Sequence, residues 1–230
     1  MFRRERHRLI AEVLTRFDPA FLSRAGIGFG GGTRIALELD EYRESIDIDF
    51  FCPSTASYKA VRETVDEQGL GALLRSPLTF AREIRTTRDK VVTAIAHGGQ
   101  AIKLEIIAFV DWRLGTVTHP LFPVPVLDRA ACFATKLTAA NDRGLAAPYK
   151  DVIDLIMMRA GWGEIPEEAI REAERHYGKA VLTKAEAAIE HFLQLPDAAK
   201  RQAAVALGMV PDFFANPNAL EALKSRGVGN

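Results

Sequence analysis

Hydrophobic and polar residues in the first half of the chain follow helical and strand-like spacings in turn. Apolar residues at helical intervals predict an amphipathic helix over residues 5–17 and a short one over 33–39. Strict alternation then predicts a strand over residues 46–51. Since neighbouring side chains of a strand point to opposite faces, Asp47 and Asp49 share one face, and Ile46, Ile48 and Phe50 share the other.

The pattern continues with a predicted helix over residues 57–68 and three strands over 78–86, 91–96 and 101–109. Paired glycines, Gly98 and Gly99, permit a tight hairpin turn between the last two strands. Lys103 and Glu105 share one face of the final strand.

Prolines at positions 120, 123 and 125 mark an irregular connecting segment, after which only helices are predicted. They cover residues 128–143, 149–160, 166–176, 184–193, 197–207 and 217–225, and Thr183 and Glu186 form a capping box for the fourth. The chain therefore predicts an α+β domain over residues 1–122 and an all-helical domain over residues 123–230.

Composition narrows the class of protein. The chain has 230 residues, and its 30 basic and 30 acidic side chains cancel, so no overall positive field indicates nucleic-acid binding. Two cysteines are too few for a disulfide framework, which favours a reducing setting. No apolar run is long enough for a signal peptide or a membrane span. We therefore expect a cytoplasmic protein that has no contact with a membrane.

The candidate chemistry begins at a glycine turn, Gly30-Gly31-Gly32-Thr33, which precedes the Asp47 and Asp49 strand by one short helix. Paired carboxylates are a donor set that suits magnesium. Glycines allow a phosphate to approach backbone N–H groups. An arbitrary Asp-x-Asp pair is more often a surface feature, but ionised groups in an otherwise apolar strand are costly unless they are paired or metal-bound.

A third acid, Glu105, follows on a neighbouring predicted strand. Three carboxylates converging from two strands suit nucleotidyl transfer, in which metal ions activate the attacking hydroxyl and offset charge on the leaving pyrophosphate. A competing interpretation uses the spacing Gly26-x-Gly28-x-x-Gly31, which matches a dinucleotide-binding fingerprint. We reject it because a helix precedes the glycines and an acidic strand follows quickly, so no βαβ unit surrounds them.

These segments resemble the AbiEii-type nucleotidyltransferase toxins of type IV toxin-antitoxin systems, within the polymerase-β-like superfamily. The similarity covers about residues 25–160 and is most specific over the glycine turn and the segment from Arg43 to Phe51. The strand 102–106 is similar to the one that bears the third acid, although Glu105 stands where an aspartate is commoner. The segments around Lys136 and from Lys150 to Leu155 resemble the family's phosphate-facing helix and its closing Lys-Asp-x-x-Asp-Leu motif.

The resemblance implies a nucleotidyltransferase fold, a mixed sheet flanked by helices, followed by the helical domain. It implies Mg²⁺ or Mn²⁺ as cofactor, an NTP as substrate, RNA (a tRNA 3′ end, for example) as acceptor and a separately encoded antitoxin. The implied metal ligands are Asp47, Asp49 and Glu105, which with Lys136 and Asp151 form the catalytic set. The implied nucleotide-binding residues are Gly31, Gly32, Thr33, Ser45, Lys136, Arg143 and Lys150.

For any single lysine such as Lys136, a solvated helix face is the simpler interpretation. Two other functions stay open at this point. One is a regulator that binds an NTP without transferring it, against which the three acids argue. The other is a transferase that modifies a small hydroxylated molecule such as an antibiotic, since one fold serves several chemistries.

Overall fold

The computed structural model describes residues 2–216. Within that part of the chain no helix is long and apolar enough to cross a membrane. The chain forms two compact units. Among the described residues, the first unit comprises 2–34 and 45–128, and the second comprises 35–44 and 129–216.

The first unit is built around a seven-stranded mixed sheet. Its strands are β1 (Gly28–Gly30), β2 (Asp47–Cys52), β3 (Phe80–Thr86), β4 (Lys90–His97), β5 (Gln100–Ala108), β6 (Thr116–Val117) and β7 (Val126–Leu127). Their order across the sheet is β3-β4-β5-β2-β1-β7-β6. β2 runs parallel to β5 and β1 runs parallel to β7, whereas the other neighbours are antiparallel.

Helices accompany the sheet: α1 (Glu5–Leu14), α2 (Pro19–Arg24), the beginning of α3 (Gly31–Glu38), and α4 (Thr55–Thr64). Asp18 caps α2, its side chain accepting a hydrogen bond from the backbone N–H of Phe21 at 2.8 Å. The apolar face of β2 belongs to the core, where the ring of Phe50 packs against that of Phe17 with centroids 4.8 Å apart. Asp47 and Asp49, on the other face, are only partly buried.

The second unit is helical within the described residues. It contains the rest of α3 and five further helices: α5 (Arg129–Arg143), α6 (Lys150–Trp162), α7 (Glu167–Tyr177), α8 (Ala180–Gln194) and α9 (Asp197–Ala206). The centre of this unit is α6, which is buried along almost its whole length. Gly161 on α6 lies so close to Leu39 that an added Cβ would overlap the Leu39 side chain.

The α+β class and the mixed sheet flanked by helices are confirmed. The strands predicted over 46–51, 78–86, 91–96 and 101–109 form β2 to β5, and Gly98 and Gly99 turn the β4–β5 hairpin with positive φ. Sequence patterns did not indicate β1, β6 or β7, which have only two or three residues each. So short a strand has no detectable alternation and depends on its neighbours in the sheet.

In the second half of the chain, one predicted helix start differs from the structure. The capping box at Thr183 is wrong, because α8 begins at Ala180 and Thr183 lies inside it. The helix predicted over residues 217–225 lies outside the described residues.

The two packed units meet in the sequence between residues 128 and 129, and residues 35–44 also belong to the second unit. The domain boundary predicted between residues 122 and 123 stays a prediction.

Candidate active site

The glycine turn connects β1 to α3 in the first unit. Gly31 is the first residue of α3 and has φ +70°, a conformation that favours glycine. A Cβ at Gly31 would overlap the carboxylate of Asp49. Glycine at this position is therefore required twice, by the backbone conformation and by the approach of Asp49. The first turn of α3 also presents backbone N–H groups, as an anion site needs.

Thr33 and Ser45 are brought together beneath this turn. Their side-chain oxygens lie 2.8 Å apart, and both residues are buried. The backbone N–H of Ser45 donates to Nε2 of His7, also buried, at 3.1 Å. This hydrogen bond requires Nε2 to be the unprotonated ring nitrogen. Three buried polar side chains thus anchor the chain just before β2, and the nucleotide-binding roles of Thr33 and Ser45 stay predictions.

Asp47 and Asp49 project from β2 on the face opposite the core. In the parallel pairing with β5, Asp47 lies beside Lys103 and Asp49 beside Glu105. On the other side of β2, Asp49 lies opposite Gly30. Because register partners point to the same face, the two aspartates and Glu105 share one face of the sheet.

Glu105 is engaged by two lysines. Lys90 Nζ donates to Oε1 at 2.8 Å and Lys103 Nζ donates to Oε2. Burial acts to raise the pKa of Glu105, but the hydrogen bonds and charges of Lys103 and Lys90 outweigh it, so the pKa lies below its usual value. The pKa of Lys103 is raised, because Glu105, Asp47 and Asp49 together outweigh the opposing effect of burial.

The donor set fits a divalent cation in part. Asp47 and Asp49 are two hard oxygen donors on one face, next to a turn without side chains. Within residues 2–216, however, no group of three or more His, Cys, Asp or Glu side chains is arranged to hold a metal ion. Glu105 is ion-paired to lysines in this arrangement. Its role as third ligand stays a prediction, and it requires the lysines to release the carboxylate.

The second unit holds a buried ion network around Asp154 on α6. Arg43 donates to both carboxylate oxygens of Asp154, from Nε at 2.6 Å and from Nη2 at 2.9 Å. Tyr42 donates its hydroxyl to the same group at 2.5 Å. Lys136 Nζ lies 2.6 Å from Asp154 and 2.7 Å from Asp151. One aspartate therefore holds together α6, α5 and the segment after α3.

Electrostatics follow from this pairing. Burial acts to raise the pKa of Asp154, but Arg43 and Lys136 dominate and hold it well below its usual range. Burial also acts to raise the pKa of Asp151, but the charge and hydrogen bond of Lys136 outweigh it, so this pKa is lowered too. Burial acts to lower the pKa of Lys136, yet the two aspartates raise it. The network therefore keeps both aspartates ionised and Lys136 protonated.

Three basic residues predicted to bind nucleotide lie near this network. Lys136 is almost fully buried, and its ammonium group is already shared by two carboxylates. Arg143 contacts Asp151 while its side chain stays 62% exposed. Lys150 begins α6 beside Asp151, and a pocket of about 190 Å³ is lined by Arg143, Lys150 and Asp151 but not by Lys136. Their contact with nucleotide phosphates, and the catalytic role of Asp151, stay predictions.

Sequence reasoning missed three residues that the structure connects to these sites. His7 lies in the first helix, where helical spacing gives no sign of a polar role. Arg43 and Tyr42 lie 111 and 112 residues from the aspartate they contact. No local pattern reports a pairing over that separation. The one available signal was the position of Arg43 two residues before Ser45, inside the most specific matching segment.

Comparison with known proteins decides the family. A family described as Nucleotidyl transferase AbiEii toxin, Type IV TA system, matches residues 12–224 of the chain. The chain belongs to the AbiEii family. It is therefore a nucleotidyltransferase. Because the AbiEii family consists of toxins of type IV toxin-antitoxin systems, an antitoxin is implied as a partner. The resemblance seen in the sequence and the enzyme class are confirmed.

Solved structures agree with the AbiEii assignment at the level of fold. JHP933 from Helicobacter pylori is 15% identical with a TM-score of 0.53, over 99% of this chain and 95% of that chain. An antigenic nucleotidyltransferase-like protein from Paracoccidioides brasiliensis is 16% identical with a TM-score of 0.51, over 94% of this chain and 99% of that chain. No curated protein matches the sequence.

Proposed function

We propose that the chain transfers a nucleoside monophosphate from an NTP to a hydroxyl group of RNA, and that this reaction is its activity as a toxin. The observation that carries the proposal is the aspartate pair. Asp47 and Asp49 share the open face of β2, and the Asp49 carboxylate lies directly against Gly31. The glycine turn and a pair of hard oxygen donors are therefore adjacent, which supports binding of a cation and a phosphate at one place.

In this reaction the acceptor hydroxyl gives up its proton to water, its oxygen forms a bond to the α-phosphorus, and the bond from that phosphorus to the departing pyrophosphate breaks. Asp47 and Asp49 would hold Mg²⁺ or Mn²⁺, which would supply positive charge to the phosphates and lower the pKa of the acceptor hydroxyl. The backbone N–H groups of Gly32 and Thr33, at the start of α3, bind phosphate oxygens.

Rigid support for the pair comes from its surroundings. β2 lies between β1 and β5, and its apolar face is buried in the core. The hydrogen bonds that join His7, Ser45 and Thr33 fix the chain just before Asp47. A donor pair placed on a central strand is positioned more accurately than one on a loop, which is what a catalytic metal site needs.

Incubation of the protein with α-labelled NTPs, Mg²⁺ and total RNA tests the proposal. We expect label in RNA, and we expect Asp49→Asn to reduce it by at least ~100-fold, because a transition-state charge contact is lost. Asp89→Asn is the matched control, since Asp89 is an exposed acid in the β3–β4 turn. Tight NTP binding without transfer to any acceptor would instead indicate a regulator. Label only in small hydroxylated compounds would indicate the antibiotic-modifying alternative.

A further inference from the structure

The open face of the sheet carries two rows of residues that lead away from the aspartate pair. Pairing partners connect Asp47 through Lys103 and Ala94 to Arg82. A second row connects Asp49 through Glu105 and Val92 to Arg85. Each row crosses β2, β5, β4 and β3, so its two ends are about 14 Å apart at ~4.8 Å per strand.

Arg82 and Arg85 are exposed on β3, the edge strand of the sheet. Within the part of the chain that the structure describes, neither side chain forms an ion pair. Lys103, the next cation along the rows, is 47% exposed. The far ends of both rows therefore present guanidinium groups that are available to an external anion.

A groove of about 760 Å³ follows these rows. Its lining includes Arg82, Arg85 and Lys103, with Glu83 as the one acid among the lining residues. Between the basic residues the groove is lined by small side chains of β3, β4 and β5, which are alanines, one valine and Thr93. A second hollow of about 440 Å³ continues from the alanines of this lining to the β4–β5 hairpin.

We propose that this groove binds the RNA acceptor, with Arg82 and Arg85 on its phosphates and Lys103 leading the strand toward the aspartate pair. The inference rests on the proposed function. Guanidinium groups form forked hydrogen bonds with phosphate oxygens. The groove lining has no aromatic side chain on which a base could stack. The groove therefore recognises the sugar-phosphate backbone of the RNA, with little preference for its sequence.

A protein strand is the other occupant that an edge strand can attract, and the structure disfavours it. Pairing of β3 with β4 is irregular between Phe80 and Arg82 and again between Arg82 and Arg85. Such irregularities twist an edge away from a regular ladder, and charged side chains along the edge oppose its pairing with another strand. Local charge thus explains how a chain with no net charge can bind a polyanion.

Fluorescence anisotropy with a labelled 12-nucleotide single-stranded RNA of mixed sequence, and with bulk tRNA, tests the groove. The groove variant is Arg82→Ala with Arg85→Ala. Its matched control is Arg24→Ala with Arg62→Ala, which removes the same charge from exposed positions on α2 and α4. We expect the groove variant to lose affinity on the order of tenfold, and its salt slope to fall by ~1.4, about 0.7 for each phosphate contact. The control should match the wild type in both respects.

Equal RNA affinity and salt slope in the two double variants would overturn the groove assignment and leave the groove to another occupant, such as a protein partner. Absence of RNA binding by the wild-type chain would also overturn it. The transfer assay separates this result from the proposed function. If RNA becomes labelled and the groove variant binds and labels RNA as well as the wild type, only the groove proposal is contradicted. If the groove variant loses RNA binding but RNA is never labelled, only the proposed transfer reaction is contradicted.

Discussion

Asp49 lies directly beside Glu105 in the parallel pairing of β2 with β5, yet Glu105 is ion-paired to Lys90 and Lys103. A third carboxylate is thus in register with the aspartate pair while two ammonium groups neutralise it. Any cation that uses Glu105 must compete with those lysines. If Glu105 is the third metal ligand, as predicted, a change at either lysine alters metal binding while the aspartates stay the same.

Replacement of Lys90 by methionine tests that competition. Lys90 is 48% exposed, so its pair with Glu105 is worth about 1 kcal/mol or less. We expect Lys90→Met to lower the Mg²⁺ concentration for half-maximal transfer by up to about fivefold, because one carboxylate oxygen is released. The measurement is a Mg²⁺ titration of the transfer rate.

Lys59→Met is the control for this change, since it removes a lysine from an exposed pair with Glu63 on α4. It should leave the Mg²⁺ requirement unchanged. If Lys90→Met also has no effect, Lys90 does not compete with a cation for Glu105, since only Lys103 then pairs with that carboxylate.

Gly31→Ala isolates the contact between the glycine turn and Asp49. Any residue with a Cβ is strained at the φ of +70° found here, at about 1–2 kcal/mol. At Gly31 the Cβ also displaces the Asp49 carboxylate. We expect transfer to fall by at least ~100-fold with a loss of only about 1–2 kcal/mol in the free energy of unfolding.

Gly99→Ala provides the comparison, because Gly99 has a φ of +72° and open space around its Cα. Both variants carry the same backbone strain, and only one disturbs Asp49. Similar activity in the two would show that the position of Asp49 does not depend on Gly31.

Comparison of sequence and structure shows where local patterns suffice. Alternation located β2 to β5 and put Asp47 and Asp49 on one face of β2, because these strands are long enough to show a period. The register of β2 with β5, which places Glu105 on the same face, is not contained in that alternation. The Thr183 capping box failed because a cap contributes only about 1 kcal/mol, and the start of α8 is fixed three residues earlier. The pairing of Arg43 with Asp154 depends on tertiary packing alone, so no motif could predict it.

Asp154→Asn tests the buried network. The substitution leaves Arg43 and Lys136 buried with one counter-ion fewer, and such a loss costs about 3–5 kcal/mol. Urea unfolding measures it. Glu164→Gln, which breaks an exposed pair with Arg159, should change the free energy of unfolding by no more than ~1 kcal/mol. Equal effects of the two substitutions would contradict the structural importance of Asp154.

Acid should weaken the same network. The pKa values of Asp154 and Asp151 are lowered in the folded chain, whereas aspartates of an unfolded chain titrate near a pKa of about 3.9. As pH falls, the unfolded chain therefore binds protons first. The stability supplied by these two groups is fully present above about pH 5 and is lost as pH falls through ~4 toward their folded pKa values.

Free energies of unfolding measured from pH 7 down to pH 3 check this. The wild type should lose stability more steeply below about pH 5 than Asp154→Asn, which has already lost one of the two groups. Parallel curves would mean that other carboxylates produce the acid dependence.

In the proposed reaction, Asp47 and Asp49 direct nucleotidyl transfer to RNA. The most direct measurement compares one NTP labelled at its α-phosphate with the same NTP labelled at its γ-phosphate, in single turnovers with RNA and Mg²⁺. We predict that α-label enters RNA, that γ-label leaves as pyrophosphate, and that Asp47→Asn abolishes both while Asp89→Asn does not. Entry of γ-label into RNA, or full transfer by Asp47→Asn, would contradict the account.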